Sequence, residues 1–145
     1  MDFEAVEAAT DVERVTLAPR PLVLVVDDDE DMRAIVTATQ RRSGMDVIEA
    51  RHGLQVLDYV THLMLDRKHA LPDVIVSDAH MPGVNGLSLL ESLRGCGCEV
   101  PVVFMTAFAG PGFRDNAARL GAAAVLEKPF DDDALCNVVM KQLGR

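Results

Sequence analysis

The chain has 145 residues, enough for one domain with a hydrophobic core and a short appendage. Its 23 acidic residues against 14 Lys and Arg give a formal net charge of −9. That balance argues against direct binding to nucleic acid or anionic membranes, since surfaces that follow phosphate need clustered Lys and Arg.

Residues 1–20 are acidic and Ala-rich and end at Pro19-Arg20-Pro21, where proline stops a helix from running into the next element. They read as a flexible or weakly helical arm, with the domain proper at 21–145. From there strand and helix signals alternate. Strand 1 is Leu22–Val26. Helix 1 runs from Glu30 to Ser43, with Met32, Ile35, Val36 and Thr39 at helical spacing and Gly44 as the stop. Strand 2 is Asp46–Glu49. Helix 2 starts near Gly53 and presents Leu54, Leu57, Val60 and Met64 on one face. Its exit, up to Leu71, is long enough for an extra turn through residues 62–69. Strand 3 is Asp73–Ser77, helix 3 Leu87–Arg94, strand 4 Pro101–Met105 and helix 4 Pro111–Leu120. Strand 5 is Ala123–Glu127, and helix 5 runs from the Asp131-Asp132-Asp133 start, where carboxylates suit a helix N-terminus, to Leu143.

The apolar, β-branched strands read as covered on both faces. Five β/α units then predict an α/β fold: a doubly wound parallel sheet with helices on both faces. In such sheets ligands bind beyond the carboxyl ends of the strands, where the winding reverses. In the flavodoxin-like order 2-1-3-4-5 that point lies between strands 1 and 3. Those strands run out into Asp27-Asp28 and Asp78. Three carboxylates at one edge repel one another unless a cation neutralises them, which predicts a divalent metal. Strand 4 adds the hydroxyl of Thr106 to the same edge, and strand 5 adds the ammonium of Lys128. Mg²⁺ suits a few carboxylates with retained water and phosphate oxygens, with Mn²⁺ an alternative. A carboxylate can itself be the nucleophile and become an aspartyl phosphate. Taken singly, each residue has a plainer reading. Asp27-Asp28-Asp29 suits a helix cap, Asp78 a turn, Thr106 a strand end and Lys128 solvent. Their joint arrival at four strand ends is what favours the chemistry.

The three cysteines, Cys96, Cys98 and Cys136, form no disulfide framework and fit reduced thiols in the cytoplasm. Cys96-x-Cys98 lacks the second ligand pair of a zinc site. No apolar run approaches a membrane span, and the acidic N-terminus is unlike a secretory signal.

Over residues 21–145 the chain resembles the receiver domain of two-component response regulators. The segments that carry the likeness are Val25-Val26-Asp27-Asp28, Ser77-Asp78-Ala79-His80-Met81-Pro82, Asn85-Gly86, Met105-Thr106-Ala107 and Lys128-Pro129-Phe130. The resemblance implies that Asp78 takes a phosphoryl group from a histidine kinase or histidine phosphotransfer protein. It implies Mg²⁺ ligation by Asp28, Asp78 and the backbone carbonyl of His80, with Asp27 acting through a metal-bound water. Lys128 would pair with Asp78 and then with its phosphate, Thr106 would move to a phosphate oxygen, and Lys128-Pro129 would be cis. The protein would be no enzyme beyond its own phosphorylation and slow dephosphorylation.

Several positions depart from the family. Val125 stands where an aromatic residue is common, which removes a rotamer switch there. Asn85 stands where Asp is commoner and reads as a turn residue. His80 and Phe108 occupy positions that tune phosphate lifetime in the family. No DNA-binding region follows helix 5 in this sequence; if the chain is complete, output is expected through a protein target, on the face of helix 4, strand 5 and helix 5, and a homodimer is left open. Two rival readings stay open: a phosphatase similar to the haloacid dehalogenases, with Asp27 as nucleophile, and an interaction module that is never phosphorylated.

Overall fold

The computed structural model describes residues 19–66 and 70–144. Most of the acidic arm, and the far part of the expected helix 2 extension, lie outside the described residues. Five strands and five helices alternate: β1 (Leu22–Val26), α1 (Glu30–Arg42), β2 (Asp46–Ala50), α2 (Gly53–Leu65), β3 (Val74–Asp78), α3 (Gly86–Gly95), β4 (Val102–Thr106), α4 (Pro111–Arg119), β5 (Ala124–Glu127) and α5 (Asp132–Gln142). The strands form one sheet in the order β2-β1-β3-β4-β5, with every pair parallel.

Because successive strand side chains point to opposite faces, each strand feeds two cores. Leu24, Val26, Ile75, Val102 and Phe104 join Val56, Tyr59 and Val60 of α2 and Leu89, Leu90 and Leu93 of α3. Val23, Val25, Val74, Val76, Val103 and Met105 join Val36 of α1 and Leu135 and Val139 of α5. This explains why β1, β3 and β4 are apolar without alternation: both of their faces are covered. β2 and β5 are the edge strands, and Ala124, Val125 and Leu126 of β5 are half-buried.

Three strands, β2, β3 and β4, end one residue later than their sequence suggests, and for β3 and β4 the shift matters. Asp78 is the last rung of β3, paired with Met105, and Thr106 is the last rung of β4, paired with Glu127. Pro101 has no N–H to give a ladder, so β4 begins after it, although its carbonyl still accepts from Ile75 at 2.9 Å. Both polar groups therefore sit on rigid strand ends rather than in loops.

Two helical faces also differ from expectation. Ile35 is 56% exposed and Leu54 63% exposed, so neither belongs to its helix's buried stripe. The buried face of α1 runs instead through Arg33, Val36, Thr37 and Gln40. α2 stops at Leu65, where Asp66 turns extended (φ −101°, ψ 98°), and so does not continue through Asp66 into the expected extra turn.

Candidate functional site

The run Asp27-Asp28-Asp29 divides into two kinds of carboxylate. Asp29 is the N-cap of α1, and its Oδ1 accepts the N–H groups of Asp31 at 2.9 Å and Met32 at 3.2 Å. Asp27 does something else. Its N–H donates to the Ala50 carbonyl at 3.1 Å, which extends the β1–β2 pairing. Its Oδ1 accepts the Asp29 N–H at 2.9 Å, while Oδ2 is buried without a partner. An ionised oxygen left so costs free energy. Burial accordingly pushes the Asp27 carboxyl up from its ordinary 3.8 to about 6; the negative charges of Asp78 and Asp28 add to this, while the Asp29 N–H and Lys128 oppose it.

Parallel pairing of β1 with β3 brings the second acid alongside. Asp27, buried, Asp28, exposed, and Asp78, nearly buried, each offer one oxygen, and the three oxygens lie within 4.8 Å of one another. Among the described residues they are the cluster whose oxygens are close enough together to hold a metal ion. Clustered carboxylates with one orphaned buried oxygen are the donor set of a hard divalent cation. The likeness of charge that makes the site unfavourable by itself is what a cation would relieve.

Lys128 reaches Asp78 from the end of β5. Its Nζ lies 3.6 Å from Asp78 Oδ1, and both side chains are largely shielded. The Lys128 N–H donates to the Thr106 carbonyl at 2.7 Å, so β4 sets where the lysine starts. The Lys128-Pro129 peptide is cis. Asp78 Oδ1 also accepts the His80 N–H at 3.4 Å. Thr106 is fully buried, and its hydroxyl is engaged by its own loop: Oγ1 donates to the Phe108 carbonyl at 3.0 Å and accepts the Phe108 N–H at 3.2 Å.

All five side chains expected at the site, those of Asp27, Asp28, Asp78, Thr106 and Lys128, thus stand at the carboxyl ends of β1, β3, β4 and β5. The rings of His80 and Phe108 diverge. His80 is exposed and stacks at a tilt on Phe113 of α4, with ring centroids 5.8 Å apart. Phe108 is 76% exposed and overlies Gly110. Asn85 is no mere turn residue: it caps α3, with Oδ1 accepting the Ser88 N–H at 2.9 Å.

Sequence reasoning missed two residues. Arg33 donates from Nη1 to the Asp27 carbonyl at 2.8 Å. Its signal was present, a charged residue at helical spacing from Val36 on the apolar stripe. Phe113 gave no local signal, because its partner His80 lies 33 positions away.

Comparison with known proteins agrees with this geometry. A family model for the response regulator receiver domain matches residues 23–140. The chain is 37% identical over 123 residues to the transcriptional regulatory protein FixJ of Azorhizobium caulinodans, spanning 85% of this chain and 55% of that protein. It is 30% identical over 121 residues to sporulation initiation phosphotransferase F of Bacillus subtilis, spanning 83% of this chain and 92% of that one. The chain therefore spans about half the length of the first relative and nearly all of the second. Among solved structures, the chemotaxis protein CheY4 of Vibrio cholerae superposes with a TM-score of 0.75 at 26% identity, over 85% of this chain and 98% of that chain.

Proposed function

This chain belongs to the response regulator receiver domain family, and on that premise we propose that it is a Mg²⁺-dependent phospho-acceptor, modified on Asp78 by a histidine kinase or histidine phosphotransfer protein. The observation that carries the proposal is the pairing of Lys128 Nζ with Asp78 Oδ1 at 3.6 Å beside the three-carboxylate cluster. Of the two buried acids, Asp78 has an accessible edge, whereas Asp27 is wholly buried, which favours Asp78 as nucleophile over the phosphatase reading.

In the proposed step an Asp78 oxygen attacks the phosphorus of a phosphohistidine. The O–P bond forms, the N–P bond breaks and the imidazole departs, taking up a proton. Asp28, Asp78 and the His80 carbonyl would hold a divalent ion, with Asp27 acting on it through water, and the ion would supply positive charge to the transferring oxygens. Lys128 is freed from Asp78 Oδ1 to hold a phosphoryl oxygen. Thr106 leaves Phe108 to donate to another. Apart from its own slow dephosphorylation, no turnover is proposed. The name of the Bacillus subtilis relative, a phosphotransferase, supports passing the phosphoryl group onward as one outcome. A cytoplasmic setting fits the three free cysteines.

For output we propose the face of α4, β5 and α5. The stacking of His80 on Phe113, which meets Phe104 edge-on at 5.8 Å, supports it by tying the acceptor loop to α4 without an aromatic residue at Val125.

Incubation with Mg²⁺ and a small acyl-phosphate donor, followed by mapping of the label, tests the proposal. Label at Asp78 that Asp78→Asn abolishes is the expected result. Label at Asp27 supports the phosphatase, and no label together with no Mg²⁺ binding supports an unphosphorylated interaction module.

A further inference from the structure

The carbonyl of Asp27 lies where β1 has ended and α1 has not begun, so neither ladder nor helix supplies it with a donor. Arg33 does, from one turn into α1, at 2.8 Å. The guanidinium is nine-tenths buried, an expensive placement for a charge unless it is paired. Its partner is Glu49 of β2, whose Oε1 lies 3.3 Å from Nε. Glu49 is in register with Val25, two residues before Asp27, so the pair spans α1, β2 and the end of β1. With the Asp27 N–H on the Ala50 carbonyl and Oδ1 on the Asp29 N–H, every polar atom of Asp27 except Oδ2 is fixed.

Resting on the phospho-acceptor reading above, we infer that Arg33, braced by Glu49, is a positioning residue for the metal-binding half of the site. It touches no reacting atom. It fixes the Asp27 main chain, and through it the direction of the one free oxygen. Groups that orient metal ligands from behind typically change metal affinity about 10- to 100-fold when removed. Lys cannot replace it, because a single ammonium does not present the planar fork that reaches a carbonyl and a carboxylate together.

The alternative is that Arg33 only satisfies a buried carbonyl and holds the fold. Measurement of Mg²⁺ affinity by calorimetry on the unphosphorylated protein, beside metal-free thermal unfolding, separates the two. Arg33→Met/Glu49→Met exchanges the ion pair for apolar groups of similar length, a change that is often neutral for folding. Because it also leaves the buried Asp27 carbonyl without its donor, its metal-free melting temperature is expected to fall by a few degrees, while the folded variant binds Mg²⁺ about 10- to 100-fold more weakly. Arg33→Lys should also bind more weakly, with an altered Mn²⁺ electron paramagnetic resonance spectrum. Glu49→Gln, at a partly exposed position that tolerates change, should show a smaller loss in the same direction. Asp78 labelling by an acyl phosphate should be restored in all three by raised Mg²⁺. Mg²⁺ affinity within twofold of wild type in the folded variants overturns the inference while leaving the phospho-acceptor reading intact. A wild-type protein that neither binds Mg²⁺ nor labels at Asp78 overturns both.

Discussion

Asp27→Asn should stabilise the metal-free protein while abolishing its response to Mg²⁺. The Asp27 carboxyl is raised from 3.8 to about 6, and each unit corresponds to about 1.4 kcal/mol. That sets a ceiling of about 3 kcal/mol, which local relaxation and water entry around the ionised carboxylate reduce to about 1–2 kcal/mol. The sign follows from linkage. Between pH 4 and 6 the folded state holds its proton more tightly than the unfolded chain, so stability falls as pH rises through that window, and the loss is complete by pH 7. Asn carries no such loss, and its oxygen still accepts the Asp29 N–H. Urea and thermal unfolding in a chelator should show the variant more stable at pH 7.5, with a melting temperature higher by about 3–6 °C. The gap should close near pH 4. Saturating Mg²⁺ at about a hundred times its Kd should then stabilise wild type by about 2.7 kcal/mol and the variant by far less. A metal-free variant no more stable than wild type at pH 7.5, or a gap that persists at pH 4, refutes the reasoning.

Gln40 is fully buried with neither side-chain nitrogen nor oxygen partnered, so Gln40→Met should raise stability by about 1 kcal/mol in urea unfolding. Gly86→Ala should cost about 1–3 kcal/mol in the same assay, since a Cβ there would lie 2.7 Å from Phe104 Cε1 and 2.9 Å from the Ala79 Cα. Phe113→Ala should label at Asp78 as wild type does but lose the change in amide exchange of α4 on phosphorylation; an unchanged exchange response would refute the route through His80. Phe108 is too exposed to exclude water from Asp78, so Phe108→Ala should leave the dephosphorylation rate as it is, and a faster rate would restore a shielding role.

The sheet order and the site were legible because both depend on strand ends, and apolar runs followed by charged residues mark strand ends well. The last rungs were less legible. Whether Asp78 and Thr106 belong to strand or loop is decided by pairing with Met105 and Glu127, which are distant in sequence. Helical periodicity found the helices but misjudged their faces. It placed Ile35 inward and gave no reason to bury Arg33, Thr37 and Gln40, because the pattern counts apolar residues and cannot see which polar ones have a buried task. Arg33 has such a task at the Asp27 carbonyl. For Gln40 and Thr37 the structure supplies no partner, and their burial has no account in hydrogen bonding.

On the proposed output face, Val125 offers no aromatic ring, which would leave α4 to carry the change. Two contacts hold the approach to this helix. The Thr106 hydroxyl holds Phe108 by both its N–H and its carbonyl, and the His80 ring rests on Phe113. A hydroxyl that donates to a phosphoryl oxygen must give up the Phe108 carbonyl, so in the proposed step capture of phosphate would loosen the loop, with the Phe108 N–H bond left to hold it. That loop runs directly into Pro111, the first residue of α4. The helix is lightly anchored: Ala117 is its buried residue, and the N-cap Gly110 offers no side chain to bond its first turn. Elements with little buried apolar surface open at low free energy. On the proposed function, a modest change at Thr106 and His80 would suffice to shift α4, where a helix packed as α3 is, through Leu89, Leu90 and Leu93, would resist it.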